Sequence, residues 1–174
     1  MSPDALTRTS IVCSIAPLLS VRHGARAVEF YKSAFGATEV FRVEDPSGAV
    51  VARLSVDGAE FWLSDESPEH GNFSPESLDG STARMILTVA DPDAMFVQAV
   101  AAGAEVVVAV GEAYGWRLGR VVDPFGHHWE IGHPRASKIT GTRFVGSANE
   151  SLAAEERKTT RDGLQSGALA ILPE

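Results

Sequence analysis

Apolar and polar positions follow two different periods along this chain, and the switches between them predict its elements. "SIAPLLSV" (14–21) is rich in branched apolar residues and stops at "RHG", as a strand does. Over Ala25–Phe35 the period lengthens. Val28, Tyr31 and Phe35 fall on one helical face with Ala27, Phe30 and Ala34 beside them, and Gly36 follows where a helix C-cap favours glycine. "ATEVFRVED" and "AVVARLSV" read as strands joined by "DPSG". There Asp45 can bond the turn backbone, Pro46 presets φ and Gly48 releases the chain. Asp57-Gly58 makes the next hairpin turn, and "AEFWLS" is a fourth strand.

Residues 65–81, rich in Pro, Gly, Ser and acid, read as a linker or covering loop. The pattern then restarts. "RMILTV" is a strand. "DPDAMFVQAVAAG" is a helix with Asp91 as cap, Pro92 in its first turn and Gly103 at its end. "AEVVVAV", "WRLGRVV" and "HHWEIG" are three more strands. "LLSV" (18–21) matches "ILTV" (86–89) and "GATEV" (36–40) matches "GAEV" (103–106), so a β-α-β-β-β unit is duplicated at an offset near 67 residues. The predicted class is α+β, with modules at 11–64 and 82–134 that must pack together to bury enough surface. Residues 1–10 read as a loose N-terminus. Residues 135–174 read as a mobile tail or a strap across a partner, with a short amphipathic helix in "ESLAAEERKTTRDGL".

Composition narrows the function classes. At 174 residues and 44% hydrophobic, the chain can bury one shared core. A net charge of −8 argues against a nucleic-acid surface. One cysteine, Cys13, leaves neither an intrachain disulfide nor a Cys-based zinc site. The apolar "IVCSIAPLLSV" is too short to span a bilayer, carries Pro17 and lacks a Lys-rich leader, so no membrane partner is expected and the expected location is cytoplasmic.

The candidate chemistry gathers in "VVDPFGHHWEIGHP" (121–134), with three histidines and a glutamate beside a tight turn. Strand alternation sends His128 and Glu130 to one face, and His127, Trp129 and Ile131 to the other. His127 is expected to bond the turn backbone, and His133 to end the strand without chemistry. His128 reads either as a rim ligand or as a solvated residue. Trp62, Tyr114 and Trp116 are candidate pocket aromatics or ordinary core. Tyr114 and Trp116, in "EAYGWRLGR", have the spacing that puts both on one face of the seventh strand. No Gly-x-Ser-x-Gly elbow, P-loop lysine or Gly-x-Gly-x-x-Gly is present.

The paired modules, "AVEFYKSAFGA" after the first strand, "SDESPEHGN" after the fourth and "DPFGHHWEIG" at the end resemble the glyoxalase/bleomycin-resistance/extradiol dioxygenase group, the vicinal oxygen chelate superfamily. The small bleomycin-resistance-like proteins are the nearest branch. The resemblance covers roughly residues 11–134 and implies that each module curls a mixed sheet into a half-cup. It implies metal-ligand positions at Ala16, Trp62, Arg84 and Glu130, only the last of which is a possible ligand. The family's strand order also sets Arg84 beside Glu130, so an ion pair is expected where a metal would sit, in a poorly hydrated cup.

The expected protein is therefore a metal-independent, cofactor-free homodimer. It would bind a small, partly aromatic or cationic molecule, as in drug or metabolite sequestration and antibiotic resistance. Ligand contacts are expected from Trp62, Arg84, Tyr114, Trp116, His128 and Glu130. Two alternatives stay open. One is a metal-dependent lyase or dioxygenase using His128 and Glu130. The other is a metal-free isomerase or lyase with Glu130 as catalytic base and Arg84 stabilising an enolate.

Overall fold

The structure, a computed structural model, describes residues 13–135. The first module comprises strand β1 (Leu18–Val21), helix α1 (Gly24–Phe35), and strands β2 (Thr38–Glu44), β3 (Val50–Val56) and β4 (Ala59–Asp65). After a single 3₁₀ turn and the short helix α2 (Pro75–Leu78) come β5 (Arg84–Thr88), α3 (Pro92–Ala101), β6 (Glu105–Ala113), β7 (Trp116–Val122) and β8 (His128–Pro134). Each module is a four-stranded mixed sheet. The orders are β1-β4-β3-β2 and β5-β8-β7-β6, with the first strand parallel to the last and all other pairs antiparallel. This is the α+β architecture of two β-α-β-β-β units that the periodicity predicted. The expected helix within the tail lies outside the described residues, as do residues 1–10.

Local chemistry explains the boundaries. Gly36 closes α1 in the left-handed region at φ 65°. Asp91 caps α3 by accepting from the Ala94 N–H, with Pro92 behind it. Asp45 Oδ1 accepts from the backbone N–H groups of Ser47 and Ala49 at 2.8 and 3.0 Å, which fixes the β2–β3 turn. The first strand is shorter than "SIAPLLSV" suggests, because backbone pairing with β4 begins only at Leu18↔Trp62. Within 65–81, which reads as loop, Pro75–Leu78 is helical under a Ser74 cap. Glu66 pins this segment, accepting from Ser74 N at 2.9 Å and from Ser77 Oγ at 2.6 Å.

Both modules turn their helix sides to one common core. β3 alternates strictly, with Val50, Ala52, Leu54 and Val56 buried and Val51, Arg53 and Ser55 more open. Trp129 and Ile131 of β8 are buried on the same principle. Tyr31, Phe35 and Phe61 of the first module meet Trp129 of the second at ring-centroid distances of 5.6, 4.6 and 5.6 Å. At their centre lies the buried carboxylate of Asp123. Its Oδ2 accepts from Tyr31 Oη at 2.7 Å and Trp129 Nε1 at 2.9 Å, and its Oδ1 accepts from the N–H groups of Phe125 and His127.

Candidate functional site

With the helix sides buried together, each sheet leaves its other face open. On the second module that face carries Arg84 and Ile86 from β5, His128, Glu130 and Gly132 from β8, and Trp116, Leu118 and Arg120 from β7. Register places Ile86 and Arg120 on either side of Glu130, and Leu118 beside Gly132. A cavity of about 330 Å³ opens here, lined by Ile86, Tyr114, Trp116, Leu118, Glu130 and Gly132. Its lining is mainly apolar, with one carboxylate, which is the make-up of a small-molecule pocket. A glycine at 132 is required, since a Cβ there would lie 2.7 Å from Leu118 Cβ and 2.8 Å from the Arg117 carbonyl oxygen.

Glu130 does not stand free. Arg84 Nη1 donates to its Oε2 at 2.8 Å, the ion pair expected between these strands. The pair is shallower than expected. The Arg84 side chain is 49% exposed and that of Glu130 24%, so water reaches the guanidinium.

The sequence-derived site residues do not all converge. Tyr114, Trp116 and Glu130 share the cavity, with Arg84 attached through Glu130. His128 shares their face but sits further along β8, opposite Val122 and Arg84 in register, and does not line the cavity. Trp62 belongs to the open face of the other sheet. There Arg53 lies 5.4 Å from its ring centroid and Phe41 packs at 5.7 Å.

Two local expectations are corrected. Tyr114 does not enter the seventh strand beside Trp116. It forms the β6–β7 turn with Gly115 at φ 53° and 79° and is fully exposed, because a two-residue hairpin needs positive φ at both positions. His127 does not bond its own turn through the ring. Asp123 takes over the turn, and the His127 Nε2 pairs with the Ser20 carbonyl of the other module at 2.9 Å.

Leu118, Gly132, Ile86 and Arg120 were not singled out from sequence. Alternation from Trp116 along "WRLGRVV" carries the signal for Leu118 and Arg120.

A second depression, about 640 Å³, lies between the α1 N-terminus and the Ser47–Ala49 turn. Its acids are already engaged. Asp65 accepts from the N–H groups of Gly24 and Val50, and Glu66 holds Arg22 and the Ser74–Ser77 cap. We therefore place the candidate site at the smaller, apolar cavity.

The profile of the Glyoxalase/Bleomycin resistance protein/Dioxygenase superfamily matches residues 13–131. The chain belongs to this superfamily. Among its relatives, Rv0887c of Mycobacterium tuberculosis is 41% identical over 126 residues, covering 70% of this chain and 74% of that protein. The crystal structure of the Arabidopsis thaliana product At5g48480 is similar with 32% identity and a TM-score of 0.54, covering 70% of this chain and 97% of that one. A fosfomycin resistance protein, FosX from Listeria monocytogenes, solved with Mn(II) and sulfate, has a TM-score of 0.54 at 14% identity over 72% of this chain and 95% of its own. That last likeness is one of fold alone.

Metal-using members of the superfamily raise the question of whether these residues fit a metal ion. They do not. Ala16, Trp62 and Arg84 occupy three of the four implied ligand positions, and Glu130 is bonded to a guanidinium. Among the described residues, no three His, Cys, Asp or Glu side chains converge as a ligand set. Also among the described residues, no helix is long and apolar enough to cross a membrane.

Proposed function

We propose that the protein is a metal-independent small-molecule binding protein of the superfamily, acting in the cytoplasm to sequester a drug-like compound or metabolite. The observation that carries this reading is the replacement of a ligand set by an ion pair. Arg84 holds Glu130 at 2.8 Å, directly beside an apolar cavity with Trp116 and Leu118 in its wall. Such a site offers a ligand dispersion and aromatic contact plus fixed polar groups, without a Lewis acid.

A homodimer accompanies this reading. The open faces expose Phe41, Val43 and Val51 on one sheet and Ile86 and Val108 on the other, apolar surface that a second copy could cover. Sedimentation that returns an 18.5 kDa species at micromolar concentration would remove the dimer.

The binding test is a saturable change in Trp116 emission across a panel of small aromatic compounds, lost in Trp116→Phe, together with elemental analysis after dialysis. Saturable binding with less than a tenth of an equivalent of transition metal supports the proposal. One tightly held Zn, Ni, Fe or Mn per chain would favour the metal-dependent lyase or dioxygenase, with His128 and Glu130 on one face as its surviving ligands. A general base at Glu130 would act through Oε1, since Arg84 engages only Oε2.

A further inference from the structure

The duplicated fold supplies its own control for what an arginine on an open face needs. Arg53 on β3 and Arg120 on β7 are separated by the same offset of 67 positions that relates the modules, and each faces the last strand of its own sheet, at Trp62 and Glu130 respectively. Neither buried Nε–H has an acceptor. Arg53 is nevertheless compensated, lying over the Trp62 ring at 5.4 Å with the Glu60 carboxylate at 3.6 Å.

Arg120 has neither compensation. Among the described residues it makes no ion pair and no cation–π contact. Its cross-strand neighbour Glu130 is committed to Arg84, and Glu105, opposite Val122 on the edge strand, does not reach it. A partly buried guanidinium with a desolvated donor and no anion is unfavourable until an acceptor arrives. It sits one alternation step along β7 from Leu118 and opposite Glu130, both of which line the apolar cavity, while Arg120 itself stands just outside that lining.

We infer that the cavity takes a small organic anion, whose apolar body lies on Trp116, Leu118 and Ile86 and whose oxyanion head is held by Arg120. This rests on the binding reading above and replaces its cationic option. A ligand cation would meet a carboxylate already neutralised by Arg84 and a second guanidinium that repels it. With Nε closed off, an oxyanion could engage the guanidinium through its two Nη groups, supplying the counter-charge that Arg120 lacks. Arg120 is thus a specificity-determining residue, and the Arg84–Glu130 pair keeps Glu130 from occupying it.

The test uses two probes of one skeleton, anilinonaphthalene sulfonate and its neutral relative N-phenylnaphthylamine, titrated against the full chain. Probe emission and energy transfer from Trp116 are followed, with Trp116→Phe to locate binding. The sulfonate should bind more tightly. Arg120→Met should weaken it about 10-fold to 100-fold, the range for a lost charge-assisted hydrogen bond, while leaving the neutral probe within about twofold. Arg120→Lys, which keeps the charge without the fork, should fall between. Arg26→Met, on the exposed side of α1, should change nothing. Equal affinities for the two probes, or an unaltered preference in Arg120→Met, overturn the anion assignment while Trp116-dependent binding of the neutral probe leaves the binding reading standing. If Arg120→Met loses both probes equally with an unchanged urea midpoint, the residue shapes the pocket and does not select charge, and the inference fails. Absence of binding by either probe overturns both.

Discussion

Replacing Asp123 by Asn removes one negative charge at the seam between the modules and almost no volume. The carboxylate is buried and accepts four hydrogen bonds, two from backbone N–H groups on Oδ1 and two from Tyr31 and Trp129 on Oδ2. The asparagine oxygen can keep the two backbone donors. Its amide then points N–H groups at the Tyr31 hydroxyl and the Trp129 indole. The hydroxyl can rotate and accept. The indole is a donor only, so its N–H and the amide N–H facing it are both left without an acceptor, at about 1–3 kcal/mol each. Losing charge assistance in the remaining bonds adds to this, and the total is about 3–5 kcal/mol, within the range for breaking a buried polar network. Tyr31→Phe, which leaves the carboxylate three donors, should cost less, about 1.5–3 kcal/mol. Urea unfolding followed by tryptophan emission and far-ultraviolet circular dichroism measures both, with the m-value checked for constancy. An Asp123→Asn protein within 1 kcal/mol of the parent would show that the network does not hold the modules together, and the account of the shared core would be wrong.

Burial, and then the Asp123 charge, push the Tyr31 phenol well above its ordinary value of 10.0. The folded state therefore keeps a proton that the unfolded chain releases, so stability is whole below about pH 10 and falls as pH rises above it; Tyr31→Phe should flatten urea midpoints taken between about pH 9 and 11. Glu66 is held down to about 2, chiefly by hydrogen bonds from Ser77 and Ser74, so its contribution is present above 4.5 and lost as pH falls toward 2. Glu66→Gln should remove that acid limb and speed hydrogen exchange across 65–81, and unchanged exchange would refute the pinning role. Because water reaches Arg84, the double-mutant cycle of Arg84→Ala and Glu130→Ala should give a coupling of about 0.2–1 kcal/mol, and a value above 3 kcal/mol would mean the cup is dry. Gly119→Ala would bring a Cβ within 2.7 Å of Phe96 and 2.9 Å of Val110, at a cost of about 1–3 kcal/mol by thermal melting; a neutral result would mean α3 is free to shift off the sheet.

Much of the fold was legible in the chain because it rests on local periods. The helix over 25–35, the Gly36 and Asp91 caps and the alternation of β3 and β8 need only near neighbours in sequence. The site was only half legible. Alternation put His128 with Glu130 correctly, and the family's strand order brought Arg84 to Glu130. Asp123 was not singled out, because its defining partner, Tyr31, lies 92 positions away. The same separation in space hid the role of His127, whose acceptor Ser20 belongs to the other module. Tyr114 was misplaced by following a period of two across a turn that the sequence marks only with Gly115.

The division of β7 and β8 into a core side and an open side has a further consequence. Apart from Gly132, which must stay small, the outward residues of β7 and β8 are free of the packing that Trp129, Ile131 and Val121 must satisfy. Trp116, Leu118 and Glu130 can therefore be exchanged at little cost to folding, and each exchange re-letters the same cavity, while Arg120 and His128 change the open face beside it. The scaffold separates durability from recognition, and its two halves can drift apart in chemistry while remaining bolted together at Asp123. A laboratory library restricted to those outward positions should yield mostly folded proteins with altered ligand preference.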